Sequence, residues 1–303
     1  MALTKVYQLY AVKLGSTVFH ELQDATINGN VTDLIEVPVG FNMPLFVAAN
    51  GERPEITFGT HQVKTMLGLL GVAGGDAGIA KLLGRKIVNK TGPVAVGSSA
   101  HASWTASASL GVIQQITASN RQRAQASVRI VMLKNGSTAA LVYSGSATVD
   151  AYTAAAEHYV LGPIAIDGST IEGTNDLQIA FNPATEESED NYESEPIFAA
   201  VRATQPVVTF TTTDPGVWSL HNTEIGASTA NGLKVNLIKM EADKLQYSSA
   251  SSNHIVFAGG SGKVRCESIG GSKQLTRVVV VPVSADGSTA PLTATTDTAV
   301  DVA

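Results

Sequence analysis

An ungapped internal repeat constrains this chain more than any other feature. Residues 44–60 and 196–212 share one skeleton: Pro44 matches Pro196, Phe46 matches Phe198, Ala48 matches Ala200, Pro54 matches Pro206, and Thr57-Phe58 matches Thr209-Phe210. The offset is 152 positions in a chain of 303 residues. A period of half the chain is too long for a solenoid unit and has the length of a domain. The repeat predicts two tandem copies of one domain, residues 1–151 and 152–303.

A second block extends the match. Val128 to Leu133 runs into Asn135-Gly136, and Arg277 to Val283 runs into Asp286-Gly287, at an offset of 151. Asn-Gly and Asp-Gly suit the two positive-φ positions of a type I′ hairpin turn. Val149-Asp150 and Val300-Asp301 close the copies at the same offset. A third pairing, Thr26-Ile27 with Thr170-Ile171, has an offset of 144 and implies about eight residues gained before Pro196. The gain is placed at residues 186–195, where six of ten are acidic, and is read as a solvated loop inserted in copy two.

Each copy reads as strand-rich with one short helix. Val6 to Leu14, Ile56 to Phe58, Val207 to Phe210 and Leu233 to Met240 carry the β-branched, aromatic and alternating residues that strands prefer. Gly92 to Val96 is a further strand candidate. After the Thr-Phe strand of copy one, Thr60 can cap a helix whose Val63, Met66, Leu67 and Leu70 fall on one face. In copy two, Asp214-Pro215 is a cap followed by proline at the first helical position. Gly71 to Gly84 reads as a glycine-rich break with a further helical turn or two, and residues 150–157 as the link between copies.

Charge and chemistry narrow the function. Charged residues make up 15% of the chain, below the roughly 25% of average soluble proteins, which suits a surface covered by partners. Residues 1–151 hold 12 Lys/Arg and 8 Asp/Glu, whereas residues 152–303 hold 8 and 18. A basic copy can thus meet an acidic one, within or between chains, and favour alternation around a ring. The single cysteine, Cys266, excludes an internal disulfide and reads as a small buried hydrophobe. The N-terminus lacks the pattern of a secretory signal, and no apolar run reaches the length of a membrane span.

The six histidines, His20, His61, His101, His158, His221 and His254, have no metal-ligand spacing and read as surface or interface residues. The glycine-rich stretch Phe257 to Val264 fails the phosphate-loop pattern, because Phe257 replaces the first glycine and Val264 the Mg²⁺-binding hydroxyl. Residues 186–195 lack a Ca²⁺-loop spacing, and Arg121-Gln122-Arg123 is too small for a nucleic-acid face. Neither carboxylate pairs nor catalytic triads are identifiable. The expectation is a non-enzyme with no catalytic, cofactor-binding or metal-binding residues.

The stretches Pro54-Glu55-Ile56-Thr57-Phe58-Gly59-Thr60 and Pro206-Val207-Val208-Thr209-Phe210-Thr211-Thr212 resemble the tail tube (major tail) proteins of long-tailed bacteriophages. In that family a Pro-x-hydrophobic-Thr-Phe-x-Thr strand enters a short helix. The resemblance implies a mainly β fold: two tandem copies of a β-sandwich or split-barrel domain, each with a short flanking helix. It also implies a structural virion protein, assembled in the bacterial cytoplasm and located in the phage tail. Homotrimeric rings with pseudo-sixfold symmetry would stack into a tube that conducts DNA without binding it specifically. Implied partners are further copies of the chain and the tape measure, tail terminator and tail tip proteins. Residues 71–84 and 186–195, where the copies diverge, are then expected to touch the next ring. Capsid decoration proteins, baseplate or tail-tip components, surface lattice proteins and tandem β-sandwich carbohydrate-binding or carbohydrate-active modules remain open as alternatives.

Overall fold

The computed structural model describes residues 6–302 apart from 37–38, 40–42, 44–45, 89–91, 121, 154–156, 191–192, 227–231, 241–248 and 269–274. Pro44 and Leu45 of the repeat, Arg121 and part of the link between copies lie outside the described residues. The fold is mainly β. The strands of the first half are β1 (Val6–Leu14), β2 (Thr17–Phe19), β3 (Leu22–Asn28), β4 (Val31–Glu36), β5 (Phe46–Glu52), β6 (Glu55–Thr60), β7 (Gly75–Asp76), β8 (Ala80–Val88), β9 (Gly92–Pro93), β10 (His101–Ala106), β11 (Ala108–Ser119), β12 (Gln125–Leu133) and β13 (Val142–Ala147). Helix α1 (Val63–Leu70) follows β6. The second half has β14 (Tyr159–Ile166), β15 (Ser169–Ile171), β16 (Thr174–Ala180), β17 (Pro183–Glu189), β18 (Pro196–Thr204), β19 (Val207–Thr212), β20 (Glu224–Ile225), β21 (Leu233–Lys239), β22 (His254–Gly259), β23 (Ser261–Ser268), β24 (Thr276–Val283) and β25 (Thr293–Thr298), with a 3₁₀ helix at Pro215–Leu220.

All named pairings are antiparallel. Apart from the two-residue β9, each pairing of the first half recurs in the second. The sheet β13-β10-β8-β1-β2 answers to β25-β22-β21-β14-β15, and hairpin β4–β5 answers to β17–β18. The order β3-β6-β12-β11 answers to β16-β19-β24-β23, and these two runs join through β11 and β16 into one ten-stranded sheet. One large apolar core runs beneath both halves and includes Phe19, Ile56, Phe58, Ile116, Ile179, Phe210, Phe257 and Val280. On β6 and β19 the inward positions are Ile56, Phe58 and Thr60, and Val208, Phe210 and Thr212, following the period of two that a half-covered sheet requires.

Strand registers revise the repeat. Val12 faces Phe19 as Ile164 faces Ile171; Asp33 faces Ala49 as Thr185 faces Val201; Ile27 faces Ile56 as Ile179 faces Val208. The offset is therefore a constant 152 from β1 to β6, and Thr26 corresponds to Gln178, not to Thr170. No residues are inserted before Pro196. The acidic stretch is no loop insertion, since Glu186, Glu187 and Glu189 lie on β17 and correspond to Leu34, Ile35 and Val37 by the same offset. Thr-Ile is a pair common to strands, so its recurrence at offset 144 carried little information.

Three local expectations also change. Gly71 to Gly84 holds no second helical turn; Ala80 to Gly84 belong to β8, paired with β1 and β10. Of the candidate strand Gly92 to Val96, only Gly92–Pro93 pairs. Neither dipeptide turn is type I′, because only Gly136 and Gly287 have positive φ. Asn135 pairs with Thr138 across Gly136-Ser137, which places a left-handed glycine at the first central position, as in a type II′ turn. Asp286 instead accepts the backbone N–H groups of Thr289 and Ser288, which hold its carboxyl far below the usual range.

The halves differ where α1 packs. A Cβ at Gly111 of β11 would lie 2.6 Å from Leu70 Cδ2. Register places Val264 at the equivalent position of β23, because Gly111 faces Ile130 as Val264 faces Val280. Missing a side chain there lets α1 settle on its four buried residues, Val63, Met66, Leu67 and Leu70. Among the described residues the second half carries only the 3₁₀ helix, started by Asp214 accepting from Gly216 N.

Candidate assembly interface

The chain already contains one junction between its repeated halves. On β11, Gln115, Ile116, Thr117, Ala118 and Ser119 face Ala180, Ile179, Gln178, Leu177 and Asp176 of β16. Ile116 and Ile179 point into the core, while Gln178 Nε2 donates to Gln115 Oε1 at 2.7 Å on the opposite face. The junction continues the sheet of one half into the other through backbone pairing.

Hairpin β17–β18 strengthens that junction by reaching onto the first half. Lys134 N donates to Pro196 O at 2.8 Å, and Glu52 N to Ser194 O at 2.6 Å. Ala199 and Val201 pack on Leu110, Val112 and Val131, the outward residues of β11 and β12. Among the described residues, ion pairs cross between the halves with the cation in the first: Arg53 with Glu187 and Glu189, Arg129 with Glu187, Lys134 with Glu193, and Lys64 with Asp297. The basic half thus meets the acidic half within one chain, as the charge asymmetry allows. The carboxylates of 186–195 carry mutual charge that would oppose strand formation in isolation; Arg53, Arg129 and Lys134 offset it.

Arg129 is the centre of this network. Its guanidinium lies 2.5 Å from Glu55 and 3.4 Å from Glu187, and also donates to Thr185 Oγ1. The Glu187 side chain is 9% exposed and that of Glu55 15%. Burial alone would raise the Glu55 pKa, but hydrogen bonds and charge from Arg129, with help from Asn28 and Asn30, hold it below the ordinary value. At the other end of the junction, Glu157 accepts from Lys64 N at 2.8 Å and Thr65 N at 3.1 Å. It supplies an anion at the first turn of α1, where Gln62 gives no side-chain cap.

The remaining singled-out residues do not converge. His101 and His254 are fully buried and not surface residues. Their Nδ1 atoms accept from Lys86 N at 3.1 Å and Lys239 N at 3.2 Å, each closing the end of equivalent strands. The signal available in sequence was that both pairs recur 153 positions apart. Cys266 is buried, and its thiol donates to Val217 O. Trp104 packs on Tyr143, while Trp218 donates to Thr276 Oγ1. Among the described residues no group of three or more His, Cys, Asp or Glu could hold a metal ion, and no helix is long and apolar enough to cross a membrane.

No protein-family model matches the chain, and no curated protein is significantly similar to it.

Proposed function

We propose that the chain is a structural subunit, two tandem β-sandwich or split-barrel copies spanning 1–151 and 152–303, that closes with other copies into a ring of the phage tail tube kind. The observation that carries this reading is the β11–β16 pairing. It is a heterologous contact: one edge of a half meets the opposite edge of the next. Its counterparts are left at the two ends of the ten-stranded sheet. β3 is the terminal strand at one end. On β23, Asn222 N–H, Thr223 O and His221 occupy the edge as far as Cys266, so the open stretch begins at Glu267, the register equivalent of Gln115. Pairing β23 with β3 of the next chain in the same way puts Ser268 opposite Ile27 and Glu267 opposite Asn28. Heterologous contacts that close make cyclic oligomers, and closure removes exposed strand edges.

Three chains would supply six similar sectors. The sheet face away from the core carries Gln115, Thr117, Gln178, Thr209 and Thr211, and Arg129 on that face is already paired with carboxylates. That face also carries Lys263 and Arg265 of β23, both exposed, so a lumen lined by it would present cations to DNA at that strand and neutral polar groups elsewhere. The chain then acts without catalysis or cofactor, in the virion tail. Its partners are its own copies and the tail proteins that meet the tube ends.

Sedimentation and negative-stain microscopy of the purified protein test this. A particle near the mass of three 31.4 kDa chains, with rings or tubes showing a central hole, is expected. A trimer or sheet without a lumen would favour a decoration or lattice protein, and a persistent monomer would overturn ring formation.

A further inference from the structure

One sheet face of the second half lacks the cover that its equivalent has in the first. Register equates Leu133, Val131 and Arg129 of β12 with Val283, Val281 and Val279 of β24. Val131 is 1% exposed beneath hairpin β17–β18, whereas Val283 is 50% exposed and Val281 and Val279 are partly exposed. Val281 and Val283 also wall an open groove of about 780 Å³ whose other side is the base of β18. Meanwhile hairpin β4–β5, the equivalent of β17–β18, covers no comparable sheet face of its own chain among the described contacts.

We propose that hairpin β4–β5 of a second copy of this chain docks on the Val279–Val283 face. This rests on the ring reading above, and extends it from edge pairing to a second, separate contact. The chain's own junction is the template: Val47 and Ala49 hold the register positions of Ala199 and Val201, the residues that pack on β11 and β12. The chemistry differs from the template on both sides, and on β23 the exposed Lys263 and Arg265 hold the register positions of Leu110 and Val112. Where the internal junction sets Glu187 against Arg129, the proposed one sets Ile35 against Val279. Lys134 is likewise replaced by Ser284.

The paired replacement gives the two junctions separate identities. Hairpin β4–β5 placed on β12 would leave Arg129 with Glu55 alone and Lys134 without its Glu193 partner. That exchange leaves the mostly buried Lys134 unpaired, a form of discrimination by penalty.

A benzophenone amino acid at Val47, in a mixture of isotopically light and heavy full-length chains, reads the contact directly. The expected adduct joins Val47 of one copy to the peptide containing Val279–Val283 of another. Val283→Asp is the companion variant; position 283 is half exposed, so melting of the isolated chain should be unchanged while self-association weakens at least tenfold, and Val283→Leu should assemble normally. Rings that form with the adduct elsewhere, or Val283→Asp rings as stable as wild type, overturn the docking while leaving the ring reading intact. Failure of the unmodified chain to associate overturns both.

Discussion

Replacing Arg129 with alanine is expected to destabilise the chain by about 3 kcal/mol, because it strips the cation from Glu55 and leaves Glu187 only Arg53, 4.0 Å away, both carboxylates being mostly out of water. Glu187 and Glu55 are 9% and 15% exposed, so solvent cannot take over the lost ion pairs. The substitution also removes the cation that ties β17 to β12, so hairpin β17–β18 should lose amide protection before the sheet does. Urea unfolding and hydrogen exchange measure the two effects. Acid provides a second readout. The folded Glu55 pKa lies below its ordinary value of 4.5, so the pair contributes stability above that value and loses it as pH falls through the folded one. The gap between wild type and variant should therefore narrow on going from neutral pH to below pH 4. A gap that stays constant would show that Glu55 takes no part.

The second large effect is expected at Phe210. It is 1% exposed in the core, and truncation to alanine should cost about 3–5 kcal/mol, since the cavity cannot close fully between packed strands. Phe58 occupies the equivalent site, and the core runs through both. With β11 and β16 also joining the sheet, Phe210→Ala should lower the melting temperature of the whole chain in one transition. Calorimetry showing two separated transitions, only one of them shifted, would mean that the halves unfold independently.

The repeat, the Thr-Phe strands, the helix face and the buried thiol were legible because each depends on local pattern. Val63, Met66, Leu67 and Leu70 are the four buried residues of α1, as their spacing requires. The alignment error at Thr26 arose because β-branched pairs recur in any strand-rich chain. Tyr7 with Tyr159, Leu9 with Leu161 and Asn30 with Asn182 would have fixed the constant offset, the last pair sharing a φ of 45°. The acidic strand was illegible for a deeper reason. Strand preference is set by what a face packs against, and β17 packs against Arg53 and Arg129, residues far away in sequence. The buried histidines were hidden likewise, since backbone donors across a sheet leave no mark on local composition. The proposed interface depends on register, which shows which edge and which face one half covers and the other leaves bare.

The central claim is that the β11–β16 junction repeats between chains. A cryo-electron microscopy map of the assembled protein tests it most directly. The account predicts a ring of three chains with six similar sectors around a hole, its sheet continuous through β23 and β3 of neighbouring chains, with Ser268 opposite Ile27. A ring joined by like edges, β3 to β3 or β23 to β23, or one whose sheet breaks at every chain boundary, would contradict it.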